Sequence, residues 1–171
     1  VDKKNIHLFN DSETKLFNEI NFTIFVDDNE SDHDSALLMK YNDKTFLNLN
    51  DCHIFDRSSY IKKNFGNIDL YTCQHSGANW HPICYDYPED RKQKIGKNKS
   101  LSKFVSILNS IKDLNPKLWV PSAGPPCFLD PDLFHFNFEE NNTLTHQEEV
   151  INYLQKFKIE TKISYLNLHD Q

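Results

Sequence analysis

Two short stretches bring together residue types that could do chemistry. In TFLNLNDC, residues 45–52, an apolar strand pattern runs straight into a carboxylate, Asp51. In DLYTCQHSGANWHP, residues 69–82, a second strand pattern runs into a loop that opens with His75 and carries small residues and Trp80. Open α/β sheets build their sites outside the C-terminal ends of their strands, so two such deliveries in succession mark a candidate site. An imidazole can serve as a metal donor or a general base. A carboxylate at a buried strand end asks for a partner, because burying an unpaired charge costs several kcal/mol, roughly 3 or more. The plain alternatives are an Asp51 that caps the next turn and a His75 bonded to backbone.

Other candidates are weaker. His53 lies two residues beyond Asp51, but neighbours on an extended segment point apart, so it is expected to face outward. His33 and Asp34 fall in an acidic turn over residues 27–34 that could line the same edge. His81 and Trp80 are read as loop-packing residues, and His135 as part of an aromatic strand or turn. No glycine-rich phosphate loop and no Gly-x-Ser-x-Gly elbow is present.

The elements that must position these residues follow from hydrophobic period. A short helix is predicted over 12–20, a strand over 21–28, and a hairpin with strands at 36–41 and 45–49 about a turn at Asn42-Asp43. A helix over 60–64 ends near Gly66, and a strand covers 68–73. The clearest helix spans 100–114, with Leu101, Phe104, Val105, Leu108, Ile111 and Leu114 on one face and Asn115-Pro116 as its stop. A strand at 117–120, a helix over 145–157 with a Thr145/Glu148 capping box, and a last strand at 162–168 complete the order. The fold class is α/β, a mixed sheet flanked by helices, in a single domain over 1–171.

Composition bounds the rest. At 171 residues with 38% hydrophobic content, 13 Phe and 7 Tyr, the chain is long and apolar enough for a real core. Net charge is −6, and RKQKIGKNK at 91–99, expected to be a solvated loop, is its only cationic cluster, which argues against nucleic acid as a partner. No apolar run approaches the roughly 20 residues that span a bilayer, and no signal-peptide pattern opens the chain. Cys52, Cys73, Cys84 and Cys127 show no CxxC spacing, so a reduced, cytoplasmic protein is expected. Valine at position 1 hints at a trimmed chain.

Three motifs in order carry a family resemblance: Asn50-Asp51-Cys52 after a leucine-rich strand, Ser76-Gly77-Ala78-Asn79-Trp80-His81-Pro82, and Pro121-Ser122-Ala123-Gly124 after LNPKLWV. Together they resemble the C-terminal half of a metallo-β-lactamase-fold domain over 33–138, with 139–171 an unassigned tail bearing a helix. Within that superfamily the resemblance is to the lactamase-like domain of the CMP-N-acetylneuraminate hydroxylase branch, which follows a Rieske domain. The resemblance implies an αββα sandwich with a divalent metal, zinc first and iron or manganese as alternates. Asp51 matches the metal-bridging aspartate, and His75 would be a further metal donor or the catalytic base. The His-x-His-x-Asp-His motif of the family's N-terminal half is missing, and the turn at Ala123 has no histidine. The implied function is therefore part of a metal-dependent hydrolase, or of an oxygenase of the hydroxylase type. It would act on a small-molecule substrate and be completed by the N-terminal half of the same protein, with no nucleic-acid or membrane partner. The competing expectation is a non-catalytic half-domain that acts as an interaction module.

Overall fold

The computed structural model describes residues 6–29, 32–77, 79–139 and 143–165. Among the described residues, seven strands form one mixed sheet in the order β1 to β7. β1 (Glu13–Phe17), β2 (Ile20–Asn29), β3 (Asp32–Tyr41) and β4 (Lys44–Asn48) are an antiparallel meander. β5 (Leu70–Gln74), β6 (Leu118–Ser122) and β7 (Lys162–Ile163) then add parallel to β4. The crossovers carry α1 (Ser58–Phe65), α2 (Glu89–Leu114) and α3 (Gln147–Leu154). This is the mixed α/β class that the hydrophobic pattern predicts.

Local chemistry explains both the agreements and the differences. The hairpin about Asn42-Asp43 forms as predicted, with Tyr41 opposite Lys44. The expected helix at 12–20 is instead β1. Asn18 and Glu19 both adopt left-handed backbone angles (φ 46° and 70°), the requirement of a two-residue hairpin turn, and β1 pairs with β2 from Phe17↔Ile20 to Glu13↔Ile24. The predicted acidic turn over 27–34 is mostly strand, because β2 and β3 stay paired out to Asn29↔Asp32. The cationic stretch 91–99 is helical rather than a loop: α2 starts after Pro88, with Glu89 and Asp90 favourably placed in its first turn. Arg91 stacks over the Tyr87 ring at 4.1 Å. α3 begins at Gln147, where the Glu149 carboxylate accepts a hydrogen bond from the His146 N–H (2.9 Å), so the cap is not Thr145/Glu148. β7 is shorter than predicted, and residues 166–168 of that expected strand lie outside the described residues.

All three helices bury their apolar stripes on one face of the sheet. Phe25, Leu38, Leu47, Tyr71 and Trp119 on that face join Ile61, Ile107, Ile111, Leu114, Ile151 and Leu154 in one core, each at most 2% exposed. The α2 stripe differs from expectation, since Leu101 and Val105 are exposed while Ile107 is fully buried. The tail is part of this core, through Val150, Ile151 and Leu154 and through β7. The opposite face carries the alternate residues. Phe22, Met39, Phe46, Leu70 and Leu118 lie in one register row, half-buried, and no described helix covers them. A second, smaller cluster of Ile83, Phe128 and Leu144, with Phe136 against it, sits among the loops.

Among the described residues, no helix is long and apolar enough to cross a membrane. The cysteines are free. Cys52 and Cys73 are buried, and burial pushes both thiols up to about 11; Cys84 and Cys127 are exposed.

Candidate functional site

The segments that leave the C-terminal ends of β4 and β5 meet α2 at a cleft of about 440 Å³, within the size range of small-molecule sites. Asp51 and His75 both line it. Asp34, His53 and Lys103 line it too.

Asp51 reaches the cleft through a fixed turn. Leu49 N–H donates to Thr72 C=O (2.9 Å), Gln74 N–H to Asn50 C=O (2.6 Å), and Cys52 N–H back to Leu49 C=O (2.9 Å). The Asn48 side chain accepts from Asn50 N–H (2.8 Å), and Asn50 takes a left-handed φ of 49°. That turn carries Asp51 out of the sheet. Its carboxylate is exposed, contrary to the expectation of a buried strand-end charge, and Oδ1 accepts from the Asn50 amide at 2.7 Å. The position therefore imposes no burial penalty on Asp51; it leaves the carboxylate accessible from the cleft.

His75 is the opposite case. It is 3% exposed, one residue past the end of β5. Its Nδ1 lies 3.0 Å from Ser122 C=O. A carbonyl can only accept, so Nδ1 carries the hydrogen and Nε2 keeps its lone pair. Nε2 is buried and has no hydrogen-bond partner. Burial lowers the pKa of the ring; the Ser122 carbonyl opposes that shift, and the nearby Lys103 charge adds to it. His75 is thus held as a neutral imidazole with an unused donor atom. Its own carbonyl accepts from the Thr145 hydroxyl (3.0 Å), a residue that sequence alone assigned to a helix cap.

The loops around His75 are nested by two glycines. A Cβ on Gly77 would meet Thr143 C=O at 2.6 Å, where Gly77 N–H already donates at 2.7 Å. A Cβ on Gly124 (φ 155°) would meet Ser76 Cβ at 2.3 Å. Ser122 Oγ and Thr143 Oγ1, on the residues bonded to this loop, are also buried without partners.

The remaining predicted residues separate. His53 is exposed as expected and stacks with Phe55, but it also lines the cleft. Asp34 lines the cleft, whereas the His33 side chain lies outside what is described, as does Ala78 of the Ser76–Pro82 motif. His81 packs edge-on against Tyr85 and Tyr87, Trp80 against Phe128 (5.5 Å), and His135 against Phe136. Sequence reasoning missed Asp27, Gln74, Lys99 and Lys103. Asp27 was detectable, since it follows Thr23 and Phe25 in strand period on the buried face and is itself 4% exposed. Lys99 and Lys103 were detectable as a helical i, i+4 pair.

For a metal, Asp51 and His75 Nε2 are donors of suitable chemistry, but structural and catalytic centres take three or four protein ligands. Among the described residues no group of three or more His, Cys, Asp or Glu could hold a metal ion. The donor pair fits a share of a centre and not a self-contained one.

No family model matches the chain. A curated protein of Mycobacterium tuberculosis (strain H37Rv), named as a candidate Rieske 2Fe-2S iron–sulfur protein, is 38% identical over 104 residues, 61% of this chain and 20% of that protein. A protein of the same description from Mycolicibacterium smegmatis is 32% identical over 126 residues, covering 74% and 24%. The chain thus spans about a fifth to a quarter of the length of these relatives. Among solved structures, a mutant of CmlA β-hydroxylase superposes on 92% of this chain and 32% of its own, with a TM-score of 0.52 at 15% identity. That likeness is one of fold alone: a mixed sheet flanked by helices.

Proposed function

We propose that this chain forms the C-terminal half of a metal-dependent enzyme with a metallo-β-lactamase fold. In this reading Asp51 and His75 are its share of the metal donors. The N-terminal half of the same protein supplies the other donors and the sheet that covers the row of Phe22, Met39, Phe46, Leu70 and Leu118. The observation that carries the reading is the buried, unpartnered Nε2 of His75 in a cleft it shares with Asp51. What a divalent metal supplies when bound there is a water acidified towards neutrality and a polarised substrate.

The chain's own groups prepare the site. Ser122 C=O fixes the His75 tautomer, burial keeps the ring neutral, and the Asn50 amide holds one Asp51 oxygen. With Nε2 committed as a donor, His75 is a ligand rather than the catalytic base. Between hydrolysis and oxygenation, the relatives' Rieske descriptions favour an oxygenase that receives electrons from an iron–sulfur domain elsewhere in the protein. Such a centre takes two Cys and two His ligands, a motif this sequence does not contain.

Elemental analysis of the full-length protein tests the assignment. About one equivalent of zinc, iron or manganese per lactamase-like domain is expected, lost in Asp51→Ala and in His75→Ala while the circular dichroism spectrum is retained. A folded wild type that takes up none of the three metals on reconstitution rules it out.

A further inference from the structure

The metal donors leave one wall of the cleft without a role. Lys103 of α2 donates from Nζ to the Gln74 side-chain oxygen and to Ser76 C=O (3.1 Å). Lys99, one turn earlier, donates to Asn79 Oδ1 (3.3 Å) and His81 C=O (3.0 Å). All four acceptors are neutral, and among the described residues neither ammonium has a carboxylate within ion-pair distance. An ammonium has three N–H donors, so each lysine keeps one beyond these contacts. Burial lowers the Lys103 pKa, as expected of a desolvated cation. Such a cation is costly unless an anion joins it. Both lysines line the same cleft as His75, whose Nε2 has no hydrogen-bond partner. An adjoining hollow of about 330 Å³ shares Gln74, Gly77 and Asn79 with that cleft and is walled by Trp80, Pro125, Pro126 and Leu144. The charged end and the apolar end are therefore continuous.

We propose that Lys103 and Lys99 form an oxyanion subsite that seats the carboxylate or phosphate group of a small organic substrate beside His75, with its apolar body along Trp80 and Pro125–Pro126. The inference rests on this cleft being the working site. Asp51 lines the same cleft, and its negative charge disfavours seating the anionic group beside it rather than at the lysines.

Calorimetric titration of the full-length protein with inorganic phosphate, phenyl phosphate and benzoate tests it. Titrations are run on the protein as isolated and on Asp51→Ala, so that anion held by metal is separated from anion held by lysine. Roughly millimolar binding of phosphate is expected, with phenyl phosphate about tenfold tighter. Lys103→Met is expected to weaken binding at least about tenfold with metal content unchanged, and Lys103→Arg by less than about threefold. Trp80→Ala is expected to erase the gain from the phenyl ring. Should Lys103→Met fail to fold, Lys99→Glu decides, since a carboxylate at that position is expected to abolish anion binding. Relative affinity for benzoate and phenyl phosphate says which oxyanion the site prefers. Failure of all three probes to bind the folded protein overturns the subsite, as does binding unchanged in Lys103→Met and Lys99→Glu. Anion binding that persists in a metal-free Asp51→Ala supports the subsite whatever becomes of the metal reading. A wild type that holds no metal yet binds phenyl phosphate through Lys103 refutes the metal reading alone.

Discussion

The two faces of the sheet are built from the same strands and end in different states. On β4, Leu47 is fully buried in the core while its neighbour Phe46 is half-exposed on the other side. The same alternation recurs at Leu38 and Met39, and at Trp119 and Leu118. Strand geometry makes the two sets point apart, so every residue that closes the helix-covered core has neighbours facing away from it. A row of Phe, Met and Leu is left half-exposed across five strands, a contiguous apolar surface of the kind that marks a contact face. The difference teaches that the same strands close one apolar face and leave the other half-exposed among the described residues.

The largest effect that probes this comparison comes from a matched pair. In the full-length protein, Leu47→Ala and Phe46→Ala are each expected to lower the free energy of unfolding by about 3 kcal/mol, read from denaturant midpoints. If Phe46→Ala costs less than about 1 kcal/mol there, that face is open to water and the covering sheet does not exist. Within the covered face, the Tyr71 hydroxyl is bonded to Ser110 Oγ (2.8 Å), which is bonded in turn to Ser58 Oγ (2.7 Å). Tyr71→Phe breaks that buried chain and is expected to cost about 1–2 kcal/mol in the same measurement, with the fold unchanged. On the other face Thr72 Oγ1 donates to Asn48 Oδ1 (2.9 Å), a half-buried contact.

The smallest effect lies at the antiparallel end, where Arg57 closes the covered side over Phe25 (5.5 Å). Arg57 also bonds both oxygens of Asp11, at 2.8 and 2.9 Å, and Val26 C=O at 3.0 Å. The guanidinium holds the Asp11 carboxyl down to about 2. A carboxyl whose folded pKa is depressed contributes stability that is present above the ordinary carboxylate range and is lost as pH falls towards 2. Asp11 is 43% exposed, so the screened contribution is about 1 kcal/mol or less. Asp11→Asn is expected to flatten the fall in stability between about pH 4 and 2, relative to wild type, in acid-unfolding curves. An unchanged slope means the pair is fully screened.

Legibility followed the range of the interactions. β2, the β3–β4 hairpin, β5, β6 and the C-terminal half of α2 rest on local period and on turn residues such as Asn42 and Gly66, and could be read directly. β1 could not, because Asn18 and Glu19 adopt left-handed angles only when β2 is there to pair with. The start of α2 was hidden by its own charge: a lysine-rich run reads as a loop until Tyr87 and the cleft give its side chains something to contact. Asp51 and His75 could be named from strand ends, but their burial came out unequal. One left-handed residue, Asn50, turns the first outward, and Ser122, seventy-one positions beyond Asp51, draws the second inward.

By itself, the sequence determined the α/β class, the period of its strands and helices, and which two residues arrive at the ends of β4 and β5. Those are properties of neighbours along the chain: side-chain alternation, apolar stripes and turn chemistry. Only the tertiary structure decided that His75 would be buried with one nitrogen satisfied and the other free. Only it set Lys103 and Lys99 against the same cleft and put all three helices on one side of the sheet. Each of those outcomes depends on contacts between segments dozens of residues apart, and burial, which sets the state of an ionisable group, belongs to such contacts and not to the chain's local pattern.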